Sequence, residues 1–283
     1  MKHKFFKTTA LVLCMVMVFG QFVHADSAQE YISLGADLSA KEKATVLKLL
    51  DIEDINDYNV EYITNAQEHE YLDEYLSKSV IGSRALSSVR IVQGGDGIDV
   101  KTYNITFCTE GMYRNALATA GMENAQVTVA GPFNISGTAA LVGAMKAYES
   151  MTGKKVSEDR LDAANEELVV TGEVAKNIGN DEAEQLLALV KEKVVSDDLK
   201  DEEDIKDAID ESADQLNISL SEEDQQKIAE LMQKITDLNL NIDQLKQQAK
   251  DIYNKLENLH LNVDEGLLAK IKAWFLSLFN FFK

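Results

Sequence analysis

The hydrophobic and polar positions of this chain follow two different rules on either side of residue 152. Before it, short apolar stretches with alternating spacing are interleaved with stretches of helical spacing. Residues 31–34, 60–64, 89–93, 98–105 and 125–130 predict strands, with Val127 and Val129 on one face of the last. Residues 39–50, 68–76, 110–120 and 136–149 predict helices. Ser39, with Glu42 three residues on, has the form of a capping box, Gly121 is a helix stop, and Ser136 is the expected N-cap of the last helix. The run Gly94-Gly95-Asp96-Gly97 predicts a turn that pairs its flanking strands as a hairpin. Strands mixed with helices in this way predict an α+β fold, one mixed sheet with helices packed on it.

After residue 152 the strand signals mostly stop, and residues 157–170, 181–195, 201–216 and 221–263 predict helices. The last segment carries an unbroken seam of Ile228, Leu231, Ile235, Leu238, Ile242, Leu245, Ala249, Ile252, Leu256, Leu259 and Val263, spaced alternately by three and four residues. Such a seam needs a partner. Its flanking positions include Lys227, Lys234, Asn241 and Gln248 on one side and Met232, Asn239, Lys246 and Tyr253 on the other. None of the resulting pairs joins opposite charges, so nothing sets the register of a parallel homodimer. Leu186, Leu187, Val190 and Val194, then Ile205, Ile209 and Leu216, offer apolar faces within the same chain. An intramolecular antiparallel bundle is therefore expected in preference to a coiled-coil dimer.

The two ends follow rules of their own. Lys2, Lys4 and Lys7, an apolar run from residue 10 to 19, and Val23-His24-Ala25 form the three-part layout of a secretory leader. Its apolar core is shorter than the roughly 20 residues a bilayer-spanning helix needs. At the other end, Trp274, Phe275, Phe279 and Phe282 fall on one helical face, with Lys270 and Lys272 at its borders. This is the pattern of a helix lying in a membrane interface or against an envelope partner; packing on the bundle is the alternative. The expected organisation is thus a signal peptide over 1–25, an α+β domain over 26–152, a helical bundle over 153–263 and an amphipathic aromatic helix over 264–283.

Charge narrows the function. The net charge is −20, and every acidic residue lies beyond residue 25. Such a surface repels nucleic-acid phosphates, so no nucleic-acid partner is expected. Cys14 lies in the leader and leaves Cys108 alone, which excludes an intramolecular disulfide in the mature chain. An exported protein without disulfides fits a Gram-positive envelope better than a eukaryotic secretory pathway.

Chemistry-bearing motifs are sparse. His69-Glu70-Tyr71-Leu72-Asp73 has Asp73 where a zinc-protease helix needs its second histidine. Cys108 ends an apolar strand, where a thiol is ordinarily buried and inert, so a Cys108–His69 nucleophile pair is not favoured. No phosphate loop or calcium loop is complete. No catalytic residue, metal ligand or cofactor is assigned.

Several stretches resemble a known family. They include residues 33–39 (Ser-Leu-Gly-Ala-Asp-Leu-Ser), 68–72, 81–88, Ala130-Gly131-Pro132-Phe133 and residues 136–141, and residues 165–169 extend the likeness. On these motifs the chain resembles the YpuA-like exported proteins of Gram-positive bacteria, a family catalogued as a domain of unknown function. The likeness spans nearly all of the mature chain and is densest in its first half. It implies export and an envelope setting and supplies no catalytic residues.

The same motifs also have a physical meaning. Arg84 is one of few cations in an acidic chain; it would pair with Glu68 or Glu70, or meet an anionic ligand. Ser136, Gly137 and Thr138 lie where a strand end meets a helix N-terminus, whose N–H groups favour anions. A small-ligand site is expected between Arg84 and Thr138. The expected function is that of an exported, envelope-associated binding or structural module. The alternative is an envelope polysaccharide hydrolase using a pair of carboxylates.

Overall fold

A computed structural model describes residues 30–258, with side chains as far as residue 252. The predicted leader and the aromatic C-terminal segment lie outside the described residues. The first half is built from β1 (Glu30–Gly35), α1 (Ala40–Leu49), β2 (Val60–Ile63), α2 (Asn65–Leu72), α3 (Lys78–Ile81), β3 (Ser88–Gln93), β4 (Ile98–Ile105), α4 (Glu110–Ala120), β5 (Ala125–Ile135) and α5 (Thr138–Thr152). Helices follow: α6 (Glu158–Ile178), α7 (Asn180–Ser196), α8 (Glu202–Leu216), α9 (Glu222–Thr236) and α10 (Ile242–Asn258). The fold is α+β, a mixed five-stranded sheet followed by packed helices.

The capping box at the start of α1 forms as expected: Ser39 Oγ accepts from the Glu42 N–H, and Glu42 accepts from the Ser39 N–H at 2.7 Å. Gly121 closes α4 in the left-handed conformation. The side-chain alternation of β1 sorts its residues between two layers. Ile32 and Leu34 pack with Val46 of α1 and Leu50, which ends that helix, on one face. Ser33 points the other way, where its hydroxyl donates to the Gly143 carbonyl of α5. The main core lies on this second face, with α4 and α5 against Val89, Ile91, Val127 and Val129.

The sheet order β2-β1-β3-β5-β4 corrects the expected hairpin. β3 and β4 do not pair with each other; β5 lies between them, antiparallel to β3 and parallel to β4. The glycine run is the mouth into which β5 is inserted. The Gly94 N–H donates to the Asn124 carbonyl, the Gly97 N–H donates to Asn124 Oδ1, and Ala125 N–H donates back to the Gly97 carbonyl. Gly94, Gly95 and Gly97 all have positive φ, so the turn opens rather than closing a tight two-strand ladder. β5 gains hydrogen bonds on both edges, and its alternating Val127 and Val129 are buried as a central strand requires.

The continuous helix over 221–263 is also corrected. α9 ends at Thr236, and α10 starts at Ile242 and packs on α7 without the α6 and α8 contacts that α9 makes. Asn239 takes φ 48°, a left-handed conformation that asparagine tolerates, and Arg160 donates to the carbonyls of Leu238 and Asn239. Leu238 and Leu240 are buried in the connection, and Leu245 and Ala249 beyond it, whereas the seam residue Ile242 is exposed at the break. Periodicity records which side is buried, and the count of residues across a short loop can preserve it. α9 packs on α6, α7 and α8 within one chain, so its seam meets an intramolecular bundle. α6 serves both cores: Ala164 and Leu168 join the sheet's core, while Ala163, Val170 and Val174 join the bundle's.

Candidate functional site

The segment from Gly82 to Ser87 and the strand-to-helix step at Ser136–Thr138 face each other across a cleft of about 500 Å³. Each wall is fixed locally. Arg84 forms a two-pronged pair with the Glu42 carboxylate, at 2.7 and 3.2 Å, and donates to the Asp37 carbonyl at 2.8 Å. Asp37 in turn accepts from the Ala85 N–H at 2.8 Å. Gly82, at φ 83°, turns its carbonyl towards Asn65 Nδ2 and His69 Nε2, each 3.3 Å away. Ser87 Oγ ties this wall to the opposite one by accepting from the Ala140 N–H in the first turn of α5.

Glu68 lies at the floor. Its side chain is 1% exposed, although its position in α2 is on the face of Leu72, where a carboxylate is unexpected. Oε1 accepts from Thr138 Oγ1 at 2.7 Å, and Oε2 accepts from Asn65 Nδ2 at 3.1 Å. Burial pushes its carboxyl above the usual carboxylate range, against the pull of those two donors. Phe107, Phe133 and Ile135 give the cleft an apolar side.

The structure therefore brings Arg84, Ser136 and Thr138 to one cleft, with Gly137 between the last two. Their partners differ from the expected ones. Arg84 is engaged by Glu42, not by Glu68 or Glu70, because α1 places Glu42 directly beside the 82–87 segment. Ser136 does not cap α5; the N-cap is Gly137, and the Ser136 hydroxyl lies 3.2 Å from Thr138 Oγ1. The N-terminus of α5 is served by Ser87 and faces Glu68, so it offers no open cradle to an anion. Glu68, expected only as a partner of Arg84, is itself part of the site. Its signal was a carboxylate four residues before Leu72, on the apolar stripe of an otherwise amphipathic segment.

The motifs that were not favoured on sequence are inert in the structure too. His69 has both ring nitrogens engaged, one by Asp73 at 2.6 Å, and Cys108 is buried, with its thiol pushed up to about 12 by burial. No group of metal-ligating side chains occurs among the described residues. The predicted contacts of Lys270, Lys272, Trp274, Phe275, Phe279 and Phe282 lie outside those residues.

A second cleft, of about 360 Å³, opens between the Asp96–Asp99 loop, α4, α7 and α10. Asp96, Asp99, Asp181, Glu184 and Asp251 line it, with Arg114 on one wall. Burial raises the Asp251 carboxyl, Gln247 opposes the rise, and Asp96 adds to it.

The Arg84–Glu42 pair gives a direct test of the wall's construction. Arg84 and then Ser39 hold the Glu42 carboxyl down at about 2. Because this carboxyl is depressed, the stability it adds is present above its ordinary value of 4.5 and lost as pH falls through about 2. In Arg84→Met, a carbon-13 NMR titration will show Glu42 moving back towards 4.5. The acid limb of the stability curve will flatten accordingly.

Residues 34–252, which hold most of the sheet, both clefts and nearly all of the helices, match the family described as "Protein of unknown function (DUF1002)". The chain belongs to this family. It is also 36% identical over 276 residues to the protein named "Uncharacterized protein YpuA" from Bacillus subtilis (strain 168), covering 96% of this chain and 94% of that one. No solved structure matches the chain. The matched span of the DUF1002 family begins at Leu34 on β1 and ends at Ile252 on α10, so it takes in both the α+β half and the helical half.

Proposed function

We propose that this protein is an exported, envelope-associated binding module that performs no catalysis. Its α+β half holds a small ligand in the Glu68 cleft. Its helical half and aromatic C-terminal segment place that cleft at the envelope surface, against lipid or an envelope protein. The leader-like pattern of residues 1–25 favours export.

One observation carries the binding role. The cleft combines hydroxyls, two phenyl rings and a single carboxylate, Glu68, among its described lining residues. Glycoside hydrolysis ordinarily needs a second carboxylate across the scissile bond. The hydrolase alternative would have to use the other cleft, where five carboxylates converge.

Fractionation of the producing cells tests the proposal. The chain is expected in the envelope fraction with Asp26 as its first residue, read by mass spectrometry. An intact chain retaining Met1 in the cytosol would overturn export. Release of soluble fragments from isolated envelope polymer by the purified protein would overturn the non-catalytic role.

A further inference from the structure

We propose that the Glu68 cleft accepts a primary ammonium group carried on a partly apolar body. The inference rests on the binding role above and names the chemistry of what is bound.

Glu68 is a buried carboxyl whose two hydrogen-bonding partners, Asn65 and Thr138, are both neutral. Among the described residues no lysine or arginine forms an ion pair with it, and the cleft's one guanidinium, Arg84, is taken by Glu42. Two donors aimed at the two oxygens favour the charged form, while burial, the larger influence, opposes it. His69, the next residue on α2, adds only a smaller favourable field and is itself held by Asp73, so a cation entering the cleft would supply a direct counter-charge.

Hydrogen-bond direction extends this preference to the cleft's surface. The Thr138 hydroxyl donates to Glu68, so the Ser136–Thr138 contact requires Ser136 to be its donor. The Ser136 oxygen then keeps only acceptor capacity. Thr106 likewise sends its hydrogen inward, to the Ile135 carbonyl at 3.0 Å. Both hydroxyls line the cleft and ask for a donor, which an ammonium group provides three times over. Phe107 and Phe133 line the same cleft, Phe133 at 49% exposure, and their rings suit both an apolar body and a neighbouring positive charge. An anion would meet the Glu68 field instead.

The test uses the full-length protein and two probes of matched shape, 2-phenylethylamine and 2-phenylethanol, in separate amide-resolved NMR titrations. The amine is expected to bind at least about tenfold more tightly than the alcohol, as a charge-assisted contact requires, with shifts centred on Ser87, Thr106 and Ser136. Glu68→Gln should bring the amine down to the alcohol's affinity. The comparison of probes on the unaltered protein decides the matter even if that variant folds poorly. Equal binding of amine and alcohol in this cleft would overturn the ammonium preference and leave the binding role standing. Amine shifts confined to Asp96, Asp99 and Asp181, with the Glu68 cleft silent, would overturn it as well. Binding of neither probe would overturn the ammonium proposal; loss of the binding role itself would require that extracts of isolated envelope also leave the cleft's resonances unmoved.

Discussion

Replacing Lys191 with methionine will destabilise the protein by about 3–5 kcal/mol, read as a lowered urea midpoint. Lys191 and Glu167 are both fully buried where α4, α6 and α7 meet. The ammonium group lies 2.8 and 3.1 Å from the two Glu167 oxygens, 3.0 Å from the Asn115 carbonyl and 3.1 Å from Thr119 Oγ1. Thr119 itself donates to Glu167 at 2.5 Å. Removing the lysine alone leaves a carboxylate in the core with a single hydroxyl to solvate it, and that is the source of the loss.

The paired replacement, Lys191→Met with Glu167→Leu, should recover most of the lost stability, because it removes both charges and keeps the volume. A double variant as unstable as Lys191→Met would show that packing around the aliphatic stem, not the orphaned charge, sets the cost. The position of the pair adds a second expectation. It ties the sheet's helix α4 to two helices of the bundle, so the single variant should uncouple the two cores and broaden the unfolding transition.

How much of this was legible in the sequence depended on the distance over which each decision is made. Strand alternation, the Ser39–Glu42 capping box and the Gly121 stop are settled within a few residues, and each appears where the pattern placed it. The insertion of β5 between β3 and β4 is settled by a strand that begins 37 residues after β3 does, so the local hairpin signal around Gly94–Gly97 pointed to the wrong neighbour. The break at Asn239 was hidden because the three-and-four spacing runs on from Leu238 to the buried Leu245 and Ala249, although Ile242 between them is exposed. Partner choice was the least legible. Arg84 selects Glu42, 42 residues away, over the nearer Glu68 and Glu70. Lys191 and Glu167 did leave a trace, since each sits on the apolar stripe of its helix, Lys191 between Leu187 and Val194 and Glu167 between Ala163 and Val174. A charge on such a stripe signals a buried partner without naming it.

Gly137→Ala should cost about 2–4 kcal/mol and close the Glu68 cleft to ligand, although the residue donates no side chain to it. Two effects add. Gly137 sits at φ 102° and ψ 2°, where a Cβ costs about 1–2 kcal/mol. An added Cβ would also lie 2.7 Å from the Tyr113 hydroxyl and 2.8 Å from Ile105 Cγ2. Tyr113 has nowhere to go: its ring is fully buried, and its hydroxyl donates to the Gly137 carbonyl at 2.5 Å. The backbone must therefore shift, carrying Ser136 and Thr138 away from Glu68. Gly153→Ala is the matched control. Gly153 ends α5 at φ 65° with nothing within 4 Å of an added Cβ, so it should lose only about 1 kcal/mol and leave the cleft intact. Equal losses at the two glycines, measured by urea denaturation, would mean that backbone strain alone operates at Gly137. The Tyr113 contact would then have no part in holding the wall of the cleft.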